Sequence, residues 1–242
     1  MLLYINGDSH SAGSELALGV DNNLVAFKGD DGKYWRTLGT PQAMDAHPEC
    51  IKLSYGVTLA KKLKYNYLCD AVPGGSNQRI FRRFTELDIK PDLVVIGWST
   101  WERTEFYDEV NNRWWQISAH EGKDWPETIK YKYKEYITKL DWDACMAQSH
   151  SMIYRLHLEL QEKSIPHIFF NTYSYFNTNS ITPVDWNNCY IDPYNPNGTF
   201  FNWCKNNGFK TVTENSFHYG KDAHDAWANY LYQMTQSTVK TI

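Results

Sequence analysis

Short apolar runs alternate with amphipathic stretches along this chain. Residues 2–6, 65–72, 93–96 and 166–170 read as strands. The run Leu93-Val94-Val95-Ile96 is apolar at every position, which predicts a strand covered on both faces. Helical patterns lie between them. IKLSYGVTLAKKL at 51–63 is one. NQRIFRRFTEL is a second, with Ser76 placed as its N-cap. In 142–162, Cys145, Met146, Met152, Ile153, Leu156 and Leu160 form a helical stripe. A short helix over 199–206, an edge strand over 209–212 and a helix over 221–236 follow the last main strand.

Strands separated by helices predict an α/β fold: three layers, with a central, mostly parallel sheet and helices on both faces. The chain of 242 residues reads as one domain over 1–242. Insertions interrupt it near 21–48, 100–141 and 174–198. The second insertion is rich in aromatics, among them Trp101, Phe106, Tyr107, Trp114, Trp115 and Trp125. Such rings suit a self-packed lid, a sugar-stacking surface or a subunit contact, and these three readings stay open. In a parallel sheet, ligands meet the loops at the carboxyl ends of the strands. Here those loops are 7–14, 73–77, 97–105 and 171 onward, and the small and polar residues collect in them.

Composition narrows the function. The net charge of −4 leaves no basic footprint for nucleic acid. No stretch is apolar enough to span a membrane. Met1 leads directly into the first strand with no secretory pattern, so a cytoplasmic or virion-associated chain is expected. The five cysteines are Cys50, Cys69, Cys145, Cys189 and Cys204. They show neither a C-x-x-C spacing nor a paired Cys/His cluster in sequence. This argues against a disulfide framework or a structural zinc site and favours a reduced compartment.

The first strand ends in GDSHSAG. Ser9 there is either the capping residue of an ordinary turn or a serine held up as a nucleophile, which needs a base to take its proton. After the second strand, PGGSNQRI puts bare backbone at Gly74 and Gly75 beside an amide donor, Asn77. That composition suits a tight turn capped by Ser76, a cradle for a substrate oxygen, or both.

Taken in order, GDSHSAG, PGGSNQRI, VVIGWST and a late His-containing segment resemble the sequence blocks of the SGNH, or GDSL-like, hydrolases. The flavour is most similar to small SGNH-like proteins of tailed bacteriophages. The resemblance implies a flavodoxin-like SGNH sheet and Ser9 as nucleophile. It also implies backbone N–H groups of Ser9 and Gly75 as oxyanion donors. The family usually has an Asn two residues after the third-block Gly; here that position is Ser99, and Asn77 is placed to fill in. Of His218 and His224 in ENSFHYGKDAHDAW, His218 takes the place of the family's base. The usual acid, three residues ahead, is replaced by Asn215, with Glu214 beside it. A Ser-His dyad oriented by Asn215, a site rescued by Glu214 and a decayed site all stay open. His10, Arg79, Arg103, Glu214 and His224 are candidates for lining the cleft. No metal or cofactor is implied. The expected activity is hydrolysis of a small ester or an O-acetylated glycan. The rival is a catalytically weak binding or structural protein, such as a virion component, with assembly into a homo-oligomer or virion left open.

Overall fold

A computed structural model describes residues 1–17, 48–117, 122 and 125–238. Four strands, β1 (Leu2–Gly7), β2 (Asn66–Cys69), β3 (Leu93–Trp98) and β6 (His167–Asn171), form one parallel sheet in the order β2-β1-β3-β6. The chain winds outward from β1 to one side, then crosses to β3 and β6 on the other. This is the doubly wound order, with its switch point between β1 and β3. β4 (Thr104–Asp108) and β5 (Arg113–Ile117) pair separately as an antiparallel hairpin.

The helices are α1 (Ser9–Ala12), α2 (Pro48–Leu53), α3 (Tyr55–Leu63), α4 (Asn77–Thr85), α5 (Glu127–Thr138), α6 (Trp142–Glu162), α7 (Phe200–Asn206) and α8 (Lys221–Thr238). Alternation along the strands divides the core in two. Leu3, Ile5, Val95, Ile168 and Phe170 face α3, α7 and α8 through Leu59, Phe200, Trp227 and Leu231. Tyr4, Val94, Ile96, Trp98 and Phe169 face α4 and α6 through Ile80, Phe84, Ile153 and Leu156. Every residue of β3 is buried, as its unbroken apolar run requires. The three-layer α/β architecture with a central parallel sheet is therefore the observed one. No helix among the described residues is long and apolar enough to cross a membrane.

Several local expectations are revised. The helix expected over 51–63 is two helices, broken at Ser54, whose backbone is extended. Ser54 makes no side-chain cap; the ring of His224 on α8 supplies it, with Nδ1 accepting the Tyr55 N–H at 3.1 Å. β2 is shorter than 65–72. The edge strand at 209–212 reduces to one bridge, Thr211 to Tyr219. The aromatic insertion holds the β4–β5 hairpin and α5, and Trp115, Ile117, Trp125, Ile129 and Tyr133 pack on one another as a small core. In the 174–198 segment, Phe176, Ile181, Trp186 and Tyr190 plug the α6 side of the sheet, so it is an integral part of the core. Of the insertion expected at 21–48, all but Pro48 lies outside the described residues.

Candidate active site

The site grows out of the switch point. Gly7 and Gly97 are register partners at the ends of β1 and β3. A Cβ on Gly97 would lie 2.5 Å from Ser11 Oγ and 2.8 Å from Phe170 Cζ, so a bare backbone lets α1 settle onto the strand ends. Asp8 caps α1, its Oδ1 accepting the His10 N–H at 3.0 Å. Gly13, in the left-handed region at φ 68°, closes the helix after one turn.

Asp8 is 1% exposed, and its Oδ2 gathers three donors. Ser99 Oγ lies at 3.1 Å, Thr172 Oγ1 at 2.9 Å and Arg103 Nη1 at 3.2 Å. Arg103 also reaches Ser99 Oγ at 2.9 Å. One buried carboxylate thus ties together the segments that follow β1, β3 and β6, and the Arg103 charge compensates its desolvation.

Ser9 stands next on the turn, nearly buried, and its hydroxyl has no hydrogen-bond partner among the described residues. His10 turns its ring into an aromatic wall, 5.7 Å from Phe200 and 5.1 Å from His218 between ring centroids. Burial drives His10 down to about 4, so it is neutral near pH 7. His218 comes from the loop that precedes α8. Its Nδ1 lies 3.4 Å from Glu15 Oε2. Ser216 Oγ donates to the same carboxylate oxygen and accepts the His218 N–H at 2.9 Å. The chain therefore brings His10 and Glu15 against residues 216–218, with a carboxylate facing the imidazole.

The expected orienting group lies away from the ring. Asn215 and Glu214 are exposed on the turn ahead of His218, and neither bonds its ring. His224 is corrected too: it lies 1% exposed in the core, stacked on Tyr55, and burial lowers it to about 3. Arg79 donates to the Asp70 carbonyl at 2.8 Å, at the end of β2, and does not line a cleft around Ser9. Arg103 is beside the Ser9 turn through Asp8.

The expected oxyanion donors fare unevenly. The Ser9 N–H has no acceptor among the described residues. Gly75 lies against the turn, its position 3.1 Å from Gly7 O for an added Cβ, but its N–H donates to Val72 O at 3.1 Å. Asn77 and Ser99 clasp each other. The Asn77 Oδ1 accepts the Ser99 N–H at 2.8 Å, while Nδ2 donates to Ser99 O at 3.1 Å and to Ser149 Oγ at 3.5 Å. With the Ser99 hydroxyl on Asp8, both side chains serve to fasten the second and third loops together. Ser76 caps α4 as its position implied, accepting the Arg79 N–H, and its own N–H reaches Gln116 on β5.

Glu15, Thr172 and Ser216 carry no sequence signal of their own. Glu15 lies 203 positions before its imidazole partner, reading 218 minus 15. Only the packing of the first turn under the last loop joins them.

No protein-family model matches this chain, and no curated protein matches it in sequence. Solved structures similar to it include a lipolytic protein of the G-D-S-L family from Desulfitobacterium hafniense DCB-2, at 12% identity and a TM-score of 0.44, covering 96% of this chain and 98% of that one. A carbohydrate esterase whose active site displays divergent catalytic and non-catalytic binding functions is similar at 13% identity and a TM-score of 0.45, over 98% of this chain. An acetyl xylan esterase from the rumen bacterium Butyrivibrio proteoclasticus is similar at 12% identity and a TM-score of 0.44, over the whole of this chain. The present chain spans 64% and 65% of the lengths of these last two proteins.

Proposed function

We propose that the chain is a serine ester hydrolase of the SGNH type. Ser9 Oγ attacks an ester carbonyl and its proton passes to Nε2 of His218. The alcohol leaves with that proton, and water then splits the acyl-serine. Glu15, 3.4 Å from Nδ1 of His218, balances the charge the ring gains. The Ser9 N–H, without an acceptor among the described residues, faces the developing oxyanion.

The observation that carries this reading is the convergence at one turn. A Ser9 hydroxyl without a partner among the described residues stands beside His10, whose ring touches His218, whose ring in turn faces Glu15. An O-acetylated glycan is the substrate class we favour. Tyr107 and Trp114 pair across the β4–β5 hairpin with exposed rings, and Gln116 of that hairpin grips the turn at Ser76. Ser9→Ala should abolish hydrolysis of p-nitrophenyl acetate with no change in thermal midpoint. Undiminished turnover in that variant removes Ser9 from the chemistry.

A second reading rests on the engaged donors. The Gly75 N–H and the Asn77 amide already have acceptors, and loss of one oxyanion donor raises the barrier by about 2.7–4 kcal/mol. This favours a binding or structural protein, such as a virion component, that keeps the architecture with little turnover. A fluorophosphonate adduct on Ser9 supports the hydrolase. An inert Ser9 together with glycan or partner binding supports the second reading.

A further inference from the structure

At the opposite end of β6 from Thr172, three residues with metal-ligating side chains meet in the interior. His157 comes from α6, His167 opens β6, and Cys189 comes from the loop that plugs the sheet. Their ligating atoms all lie within 4.8 Å of one another, and all three residues are buried. Among the described residues this is the one His/Cys/Asp/Glu group so arranged. From these contacts we infer that His157, His167 and Cys189 form a binding site for a thiophilic divalent cation of the zinc type.

The hydrogen bonds prepare the imidazoles for this role. His167 Nδ1 faces the Ile165 carbonyl at 3.0 Å and must donate to it, because a carbonyl only accepts. That fixes the tautomer and leaves Nε2 of His167 as a lone pair. A ligating histidine ordinarily has its other nitrogen held in this way. The lone pair points at His157 Nδ1, 2.8 Å off, so His157 donates there and its Nε2 becomes an unprotonated nitrogen. That Nε2 is buried and has no partner among the described residues. Buried polar atoms are seldom left unmet, and a cation accepting imidazole lone pairs is one way to meet this one.

The sulfur completes the donor set. The Cys189 thiol now points at Asn187 O, at 3.5 Å. On binding, its proton leaves to solvent and the thiolate takes the cation. Two imidazoles and a thiolate suit zinc or cobalt(II) better than calcium or magnesium. The carboxylate of Asp185, exposed on the same loop, adds negative charge near His157 and Cys189. Tetrahedral zinc places such ligands about 3.3–3.6 Å apart, so on binding the His157 ring must turn to bring its Nε2 lone pair beside that of His167, giving up the hydrogen bond between the rings, and the sulfur must close in. None of the three residues belongs to the Ser9 site, so the inference stands apart from the hydrolase reading.

The test is cobalt(II) titration of the full, untagged chain under reducing, anaerobic conditions, read by absorption. One equivalent should produce a near-ultraviolet thiolate-to-cobalt band together with visible bands of tetrahedral intensity, and zinc should displace both. Cys189→Ser should remove the thiolate band while Cys145→Ser keeps it. Zinc should raise the thermal midpoint of the wild type and leave that of Cys189→Ser unmoved. No thiolate band in the folded wild type, or a band that survives Cys189→Ser, overturns the site. His157→Gln separates a fold defect from a lost ligand: a variant with a wild-type circular dichroism spectrum and wild-type cobalt affinity also overturns it.

Discussion

Glu15 shows how one residue changes the reading of a site. The position three before His218 holds Asn215, an amide that can orient an imidazole but cannot neutralise an imidazolium. The carboxylate that faces His218 instead comes from the end of the first turn, steadied by Ser216. If the hydrolase reading holds, Glu15→Gln keeps the shape and removes the charge. We expect kcat to fall on the order of 10²- to 10⁴-fold with KM little changed, by analogy with loss of the triad acid. Asn215→Ala should leave both parameters near wild type. Steady-state kinetics of the two variants on p-nitrophenyl acetate decide the matter, and a large defect in Asn215→Ala alone would return the orienting role to that residue. Asp8, adjacent to Ser9 in sequence, has the different task of holding three strand ends through one oxygen.

At the level of elements, packing against neighbours sets what the local pattern leaves undecided. The stretch 51–63 is helical in pattern throughout, yet it breaks at Ser54 because His224, on α8, takes the first N–H of the second helix. Its hydrophobic period marked the face and was silent on the break, since the cap comes from 169 positions away. The meeting of β1, β3 and α1 depends likewise on Gly97. Gly97→Ala places a methyl group against Ser11 Oγ and the Phe170 ring, both of them fully buried. Overpacking of this kind costs about 1–3 kcal/mol, which urea denaturation would report as a lowered midpoint at unchanged slope. Because α1 carries Ser9, the same variant should lose fluorophosphonate labelling more than its lost stability explains.

Across the whole molecule, the two ends of the described chain close over one another and bury histidines in doing so. Burial lowers His10 to about 4 and His224 to about 3, from an ordinary 6.5. For His10 the Asp8 charge opposes the shift, while His218 and Arg103 reinforce it. For His224, His10, His218 and Lys221 add to the effect of burial. Both groups are neutral when folded and take up a proton near pH 6.5 when unfolded. Their contribution is therefore complete above about pH 6.5 and is lost as the pH falls toward 4. Each adds a slope of about 1.4 kcal/mol per pH unit within that window. Unfolding free energies from urea titrations at pH 7, 6 and 5 should fall in that order. A flat profile would mean that these rings are already solvated in the folded chain.

By itself the sequence determined the sheet and its loops. Period-two and continuous apolar runs specify strands and their burial, Ser76 announces its own cap, and turn residues must follow strand ends, so the Ser9 turn and the Gly74-Gly75 turn were legible as neighbours at one edge. These are local properties, encoded within a few residues. Only the tertiary structure decided which side chains meet: Glu15 rather than Asn215 at His218, Asn77 and Ser99 clasped to each other, His224 in the core, and His157, His167 and Cys189 in one cluster with no common spacing. Such meetings depend on how distant segments pack, and packing is set by the summed shape and burial of the entire core, which no short window of the chain contains.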